Sequence, residues 1–158
     1  MIARRKPWSA RTIVLSLVAL LGVCGCGTLS APFTDGYAEV RIAGHTREEI
    51  HDTLVSVFES DGYSVVIPSQ DRPVFEKVAP VNYQGAYRSI GGKPVDVRVK
   101  VTISRLKADT YRIACTPHIV RDNGDPYVEE EVPLSNMRIR PYQKLLDQVA
   151  AELNPPKK

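Results

Sequence analysis

The chain has 158 residues, 43% of them hydrophobic, with 21 Lys+Arg against 18 Asp+Glu. That length and apolar fraction suit one globular domain and exclude disorder as the main state. Only one long apolar run occurs, which excludes a multi-span membrane protein.

Residues 1–11 carry Arg4, Arg5, Lys6 and Arg11 and no acid, and residues 12–22 (TIVLSLVALLG) follow as a short apolar run. A basic start before roughly 7–15 apolar residues is the pattern of an export signal, too short to span a bilayer as a mature helix. The run stops at Gly25-Cys26-Gly27, which argues against a signal-anchor helix. The residues around Arg4-Arg5 do not fit a twin-arginine signal, so general secretion is expected.

Val23-Cys24-Gly25-Cys26 resembles the lipobox of bacterial lipoprotein precursors, in which a small residue precedes the cysteine that takes the lipid. Cys26 follows Gly25, which fits a cleavage pocket made for small side chains. Cys24 follows the β-branched Val23 and is the poorer of the two candidates. The resemblance covers about the first 27 residues. It implies cleavage after Gly25, removal of residues 1–25, a thioether-linked diacylglycerol on Cys26 and a third acyl chain on its amine; no cofactor or metal is expected beyond that covalent lipid. Two or more acyl chains anchor stably where one does not. Gly27, in place of the Asp that retains such proteins at the inner membrane, implies a periplasm-facing outer-membrane location.

Removing the four basic residues of 1–25 leaves 17 Lys+Arg against 18 Asp+Glu, a net charge of −1. The pI near 8.8 is therefore largely a property of the leader, and no nucleic-acid partner is expected. Residues 26–36 hold the lipidated Cys and a short polar linker, whose ten residues after Cys26 reach at most about 35 Å. The partners expected are the membrane, through the lipid, and an envelope protein.

Residues 37–154 then read as a single α+β domain, with a Pro/Lys tail at 155–158. Residues 37–42 alternate, with Ala38, Val40 and Ile42 on one face, as a half-buried strand should. Gly44 breaks the strand. Thr46 and Glu49 make a T-x-x-E capping box, after which Ile50, Leu54, Val57 and Phe58 recur at helical spacing up to Gly62. Residues 63–67 and 74–79 read as two further strands. The strongest strand spans 95–106, with Val95, Val97, Val99, Val101 and Ile103 opposite Asp96, Arg98, Lys100, Thr102 and Ser104. A short connection leads to a strand at 110–120. Asn123-Gly124 predicts a two-residue hairpin turn, and 127–132 an edge strand guarded by acids. Pro141 opens a helix striped by Tyr142, Leu145, Leu146, Val149 and Leu153.

The predicted order is β-α-β-β-β-β-α. Successive strands on short turns imply a single antiparallel sheet of about five to six strands, with two helices packed on one face. The layout resembles the helix-grip and TATA-binding-protein-like arrangement at fold level.

Candidate chemistry is sparse. Cys115 shares the parity of Ile113, which predicts a buried, inert thiol, and His118 falls on the opposite face, which disfavours a Cys-His pair. His45 and His51 lack ligand spacing, and 122–125 lacks the acids of a calcium loop. Gly91-Gly92-Lys93 is followed by Pro94, so it is no phosphate loop. With no G-x-S-x-G or H-E-x-x-H, no enzyme is expected.

Two surfaces stand out. The irregular segment 80–93 carries Asn82, Tyr83, Gln84, Tyr87 and Arg88, a composition suited to contacts. The polar row Arg98, Lys100 and Thr102 with Arg112, Thr116 and His118 forms an open sheet face. The expected role is a lipid-anchored, non-enzymatic envelope protein that docks a partner, by analogy with accessory lipoproteins of outer-membrane assembly machines. The alternative is a glycan- or lipid-binding module using the 80–93 loop and the open face.

Mass spectrometry of the mature N-terminus should find Cys26 acylated, and Cys26→Ala should abolish lipid labelling. Labelling lost instead in Cys24→Ala would move the site.

Overall fold

The computed structural model describes residues 37–89, 92–135 and 138–155. The expected leader, the candidate lipid-bearing cysteines Cys24 and Cys26, the expected linker up to residue 36 and residues 156–158 lie outside the described residues. The domain is α+β: six strands form one antiparallel sheet, accompanied by three helices.

In chain order the elements are β1 (Ala38–Ala43), α1 (Arg47–Ser60), β2 (Ser64–Ile67), β3 (Val74–Val78) and α2 (Val81–Ala86). They continue as β4 (Asp96–Lys107), β5 (Thr110–Arg121), β6 (Glu130–Pro133) and α3 (Arg140–Leu153). The sheet runs β2-β3-β4-β5, and both β1 and β6 then lie along the far edge of β5. β1 takes positions 110–115 of β5 and β6 takes 118–121, so the two short strands share one edge end to end.

Alternation in β4 and β5 builds the frame. Val97 faces Ile119, Val101 faces Cys115 and Ile103 faces Ile113 across the ladder, all buried on one side. α1 and α3 supply the other half of that core with Ile50, Leu54, Val57, Phe58, Leu145, Leu146 and Val149. Phe58 stacks on Phe75 of β3 at 4.5 Å between ring centroids and tilts against Tyr63 at 5.4 Å. The polar parity of both long strands is left on the other side of the sheet.

The local signals for α1 are present as expected. The Thr46 side chain accepts from the Glu49 amide, and the Glu49 carboxylate accepts from the Thr46 amide at 2.8 Å. That reciprocal bond satisfies two donors that an uncapped helix leaves open. Gly62 ends the helix at φ +86°, a conformation that costs a side-chain-bearing residue. α3 begins at Arg140 with Pro141 in its first turn.

Two glutamines tie helices to strands. Gln143 of α3 accepts from the Glu39 amide at 3.0 Å and donates to the Glu39 carbonyl at 2.9 Å. It thereby occupies the outward hydrogen-bonding groups of β1 as a further strand would. Gln84 of α2 does the same work inside the sheet, donating to the carbonyls of Ala79 and Val95 and accepting from the Val95 amide at 2.8 Å.

Three expectations are corrected. The irregular segment at 80–93 contains α2, a third helix interrupting the run of strands. Pro80 sets its entry at φ −55°, and its one internal Gly and six-residue length hide the helical period. The two-residue turn at Asn123-Gly124 is a longer connection, because positive φ falls at Asp122 and Gly124 while the Asn123 side chain turns to the sheet face and donates from Nδ2 to Glu76 and Asp96. The edge strand at 127–132 shortens to Glu130–Pro133, since the amides of Tyr127 and Glu129 close onto Asp125.

Phe58→Ala removes a side chain with 0% exposure that touches Tyr63 and Phe75, and should cost about 3–5 kcal/mol. Denaturant unfolding of the variant checks this.

Candidate functional site

The open sheet face is where the sequence places one set of candidates, and β4 and β5 present them side by side. Arg98 stands opposite His118, Lys100 opposite Thr116, and Thr102 opposite Ala114. Arg112 lies further along β5, opposite Ser104. The structure therefore brings these six residues onto one surface.

Their charges are matched by acids from neighbouring strands. Arg98 binds Glu76 of β3, donates to Glu129 at 2.8 Å, and reaches the Asn123 side-chain oxygen at 3.2 Å. Lys100 pairs with Glu131 of β6 at 2.7 Å. Arg112 donates to Glu39 of β1 at 2.7 Å and lies over the Tyr37 ring. The Arg112 hydrogen bond holds the Glu39 carboxyl below its ordinary range, and for Glu129 the Gly124 amide does so first and Arg98 second. Burial works against the Arg98 cation, but its bonds to Glu129 and Glu76 outweigh that cost and keep it protonated. This face is a lattice of ion pairs that staples β6 and the 122–129 connection to the sheet.

His118 is enclosed in that lattice. Its Nδ1 lies 3.0 Å from the Thr116 carbonyl and 3.8 Å from Glu131. Burial lowers its pKa from the ordinary 6.5, against the pull of Glu131. Cys115 is fully buried on the helix side, as its parity predicts, and desolvation pushes its thiol up to about 12. Nucleophilic chemistry needs the thiolate. At that pKa and burial Cys115 is packing, and the sheet separates it from His118. His45 and His51 instead meet Glu49 at 3.5 Å and Asp52 at 3.1 Å.

The second set of candidates separates. Tyr83 is buried at the core margin, its ring stacked on Tyr87 at 6.2 Å. Arg138, which sequence reading passed over, lies over both rings at 4.9 and 5.4 Å. Gln84 is committed to backbone groups, as described above. Asn82 and Arg88 are exposed. The tyrosines thus pack inward, while the outer side of the segment stays in solvent.

That outer side lines a concavity of about 720 Å³, bounded by Val78 at the end of β3, Ala79 after it, Val81 and Gln84 of α2, and Arg88, Ser89, Gly92, Lys93 and Pro94. Ser89 donates to Asp122, which ties this segment to the β5–β6 connection. Arg88 and Lys93 have no carboxylate partner among the described residues, in contrast to Arg98, Lys100, Arg112 and Arg121 on the sheet. Comparison of the chain with family models and with curated proteins finds no match, so the site is read from its own geometry.

The lowered His118 pKa has a sign for stability. The unfolded chain takes up the proton near the ordinary 6.5 and the folded chain only at lower pH, so stability falls as pH drops through that window. The depressed Glu39 and Glu129 add a further loss below about 4.5. Chemical denaturation from pH 7.5 to pH 5 should show the first loss in the native chain, and a flatter profile in His118→Gln.

Proposed function

We propose that this is a lipid-anchored envelope protein, exported by its leader, acylated at Cys26, and held at the outer membrane facing the periplasm. Its α+β domain acts as a non-enzymatic docking module for an envelope protein. The leader pattern supports the anchor: four bases, an 11-residue apolar run, then Gly25-Cys26. The short connection from Cys26 to β1 keeps the domain near the membrane surface.

The observation that carries docking is the contrast between the two sheet edges. On one side, β1 is capped by Gln143 and β6 carries Glu130 and Glu131. On the other, β2 (Ser-Val-Val-Ile) has no charged residue and pairs only with β3 among the described residues. Val66 and Ile67 are 44% and 53% exposed there. Natural proteins guard free edges with charge or cover, and an unguarded edge accepts an added strand. A strand of a partner protein, laid against β2, would satisfy its outward backbone groups and cover those two side chains.

The layout is read as helix-grip-like at fold level, supported by two 14-residue helices on one sheet face and departing from that type in the inserted α2. A second reading, a module for an envelope glycan or lipid, draws on the concavity beside α2.

Crosslinking from native membranes tests docking. The native chain should capture an envelope protein in stoichiometric yield. Cys26→Ala, which removes the anchor, and Val66→Asp, which charges the edge, should each lose it. Capture unaffected by Val66→Asp sinks the edge assignment.

A further inference from the structure

One end of the sheet collects features that the docking edge does not use. β3 ends there at Val78, opposite Asp96 at the start of β4, which in turn faces Val120 near the end of β5. The α2 segment and the 122–129 connection both emerge at this end and are joined by the Ser89–Asp122 bond. Val81 is 89% exposed and Tyr127 is 93% exposed, and Val78 and Val128 are exposed beside them. The other large exposed apolar side chains, Val66, Ile67 and Leu106, lie toward the opposite end of the sheet.

Among these apolar side chains stand Arg88 and Lys93, both exposed and without carboxylate partners among the described residues. The nearby acids are occupied: Glu129 by Arg98 and the Gly124 amide, Asp125 by the Tyr127 amide, and Asp122 by Ser89. Exposed aliphatic and tyrosine side chains interleaved with free bases suit the boundary between lipid phosphates and acyl chains.

We propose that this end of the sheet rests on the bilayer, with Arg88 and Lys93 on lipid phosphates and Val78, Val81 and Tyr127 in the interfacial layer. The inference rests on the anchored reading above. Reach agrees with it. Ala38 faces Cys115, five β5 residues from Val120, and the concavity at the end of β3 lies three strands across from β1. That places the start of the domain about 20 Å from the site, by strand rise and spacing. Ten linker residues extend to about 35 Å, enough to bring this end to the membrane. It also leaves the β2 edge clear for a partner. The net charge of the mature chain is −1, so anionic lipid would be met by the local pair of bases and not by the overall field.

The sole tryptophan is Trp8 in the leader, so a Trp8→Phe background allows a unique reporter. The full precursor carrying Val81→Trp, or Leu106→Trp at the opposite end, is produced in membranes, purified and reconstituted in phosphatidylethanolamine–phosphatidylglycerol vesicles with brominated acyl chains. Quenching at Val81→Trp should exceed that at Leu106→Trp at least about twofold, as expected for side chains at the headgroup–acyl boundary. Adding Arg88→Glu and Lys93→Glu, both at exposed positions, should bring it down to the Leu106→Trp level. Equal quenching at the two positions, or quenching indifferent to the charge reversals, overturns the proposal. The mass of the same samples reads the anchor separately. An acylated protein with equal quenching leaves the anchor standing and removes the membrane face, whereas an unacylated chain removes the anchor while quenching still decides the face.

Discussion

The long antiparallel pair of β4 and β5 is the constraint on which the rest of the structure depends. Each strand is 12 residues long, and their register runs from Asp96–Val120 to Lys107–Thr110. Because side chains alternate strictly, that register assigns every residue of both strands to a face at once. The apolar set meets α1 and α3, and the polar set meets Glu39, Glu76, Glu129 and Glu131. A slip of one residue would bury Arg98 and Lys100 and expose Val97 and Val99. No arrangement of the helices could compensate for that.

What the frame does with its edges differs from side to side. β5, with 12 residues, is twice as long as β1 and three times as long as β6, so two short strands share that edge. Gln143 and the β6 glutamates then close it to further pairing. β2 has only four residues and, among the described residues, pairs with β3 alone. The asymmetry closes one edge and leaves the other without a paired strand among those residues.

The same division applies to charge. On the sheet face each arginine and lysine is held by a carboxylate, and the partly desolvated group at Arg98 links β3, β4 and the 122–129 connection. Such a network fixes geometry more than it adds net stability. At the end of the sheet, Arg88 and Lys93 have no carboxylate partner among the described residues, beside side chains that sequence patterning would ordinarily bury. Local surplus, not the chain's near-neutral total, distinguishes that surface.

Local patterns determined much of this protein. The alternation of 95–106, the capping box at Thr46 and Glu49, the stop at Gly62 and the stripe of 142–153 each depend on neighbours within one or two turns, so they are legible without a fold. The parity of Cys115 against His118 is of the same kind. The basic start, the apolar run and Gly25-Cys26, which resemble an export leader, are likewise a linear pattern. Tertiary structure alone decided that β1 and β6 share an edge, because pairing partners far apart in sequence leave no local mark. It also decided that Tyr83 and Gln84 turn inward, where Arg138 and the Val95 backbone receive them, although their composition suits a contact loop. Six residues starting after Pro80 are too few to display a helical period. The Asn123 side-chain amide donates to Glu76 and Asp96, carboxylates that only the folded sheet places within reach.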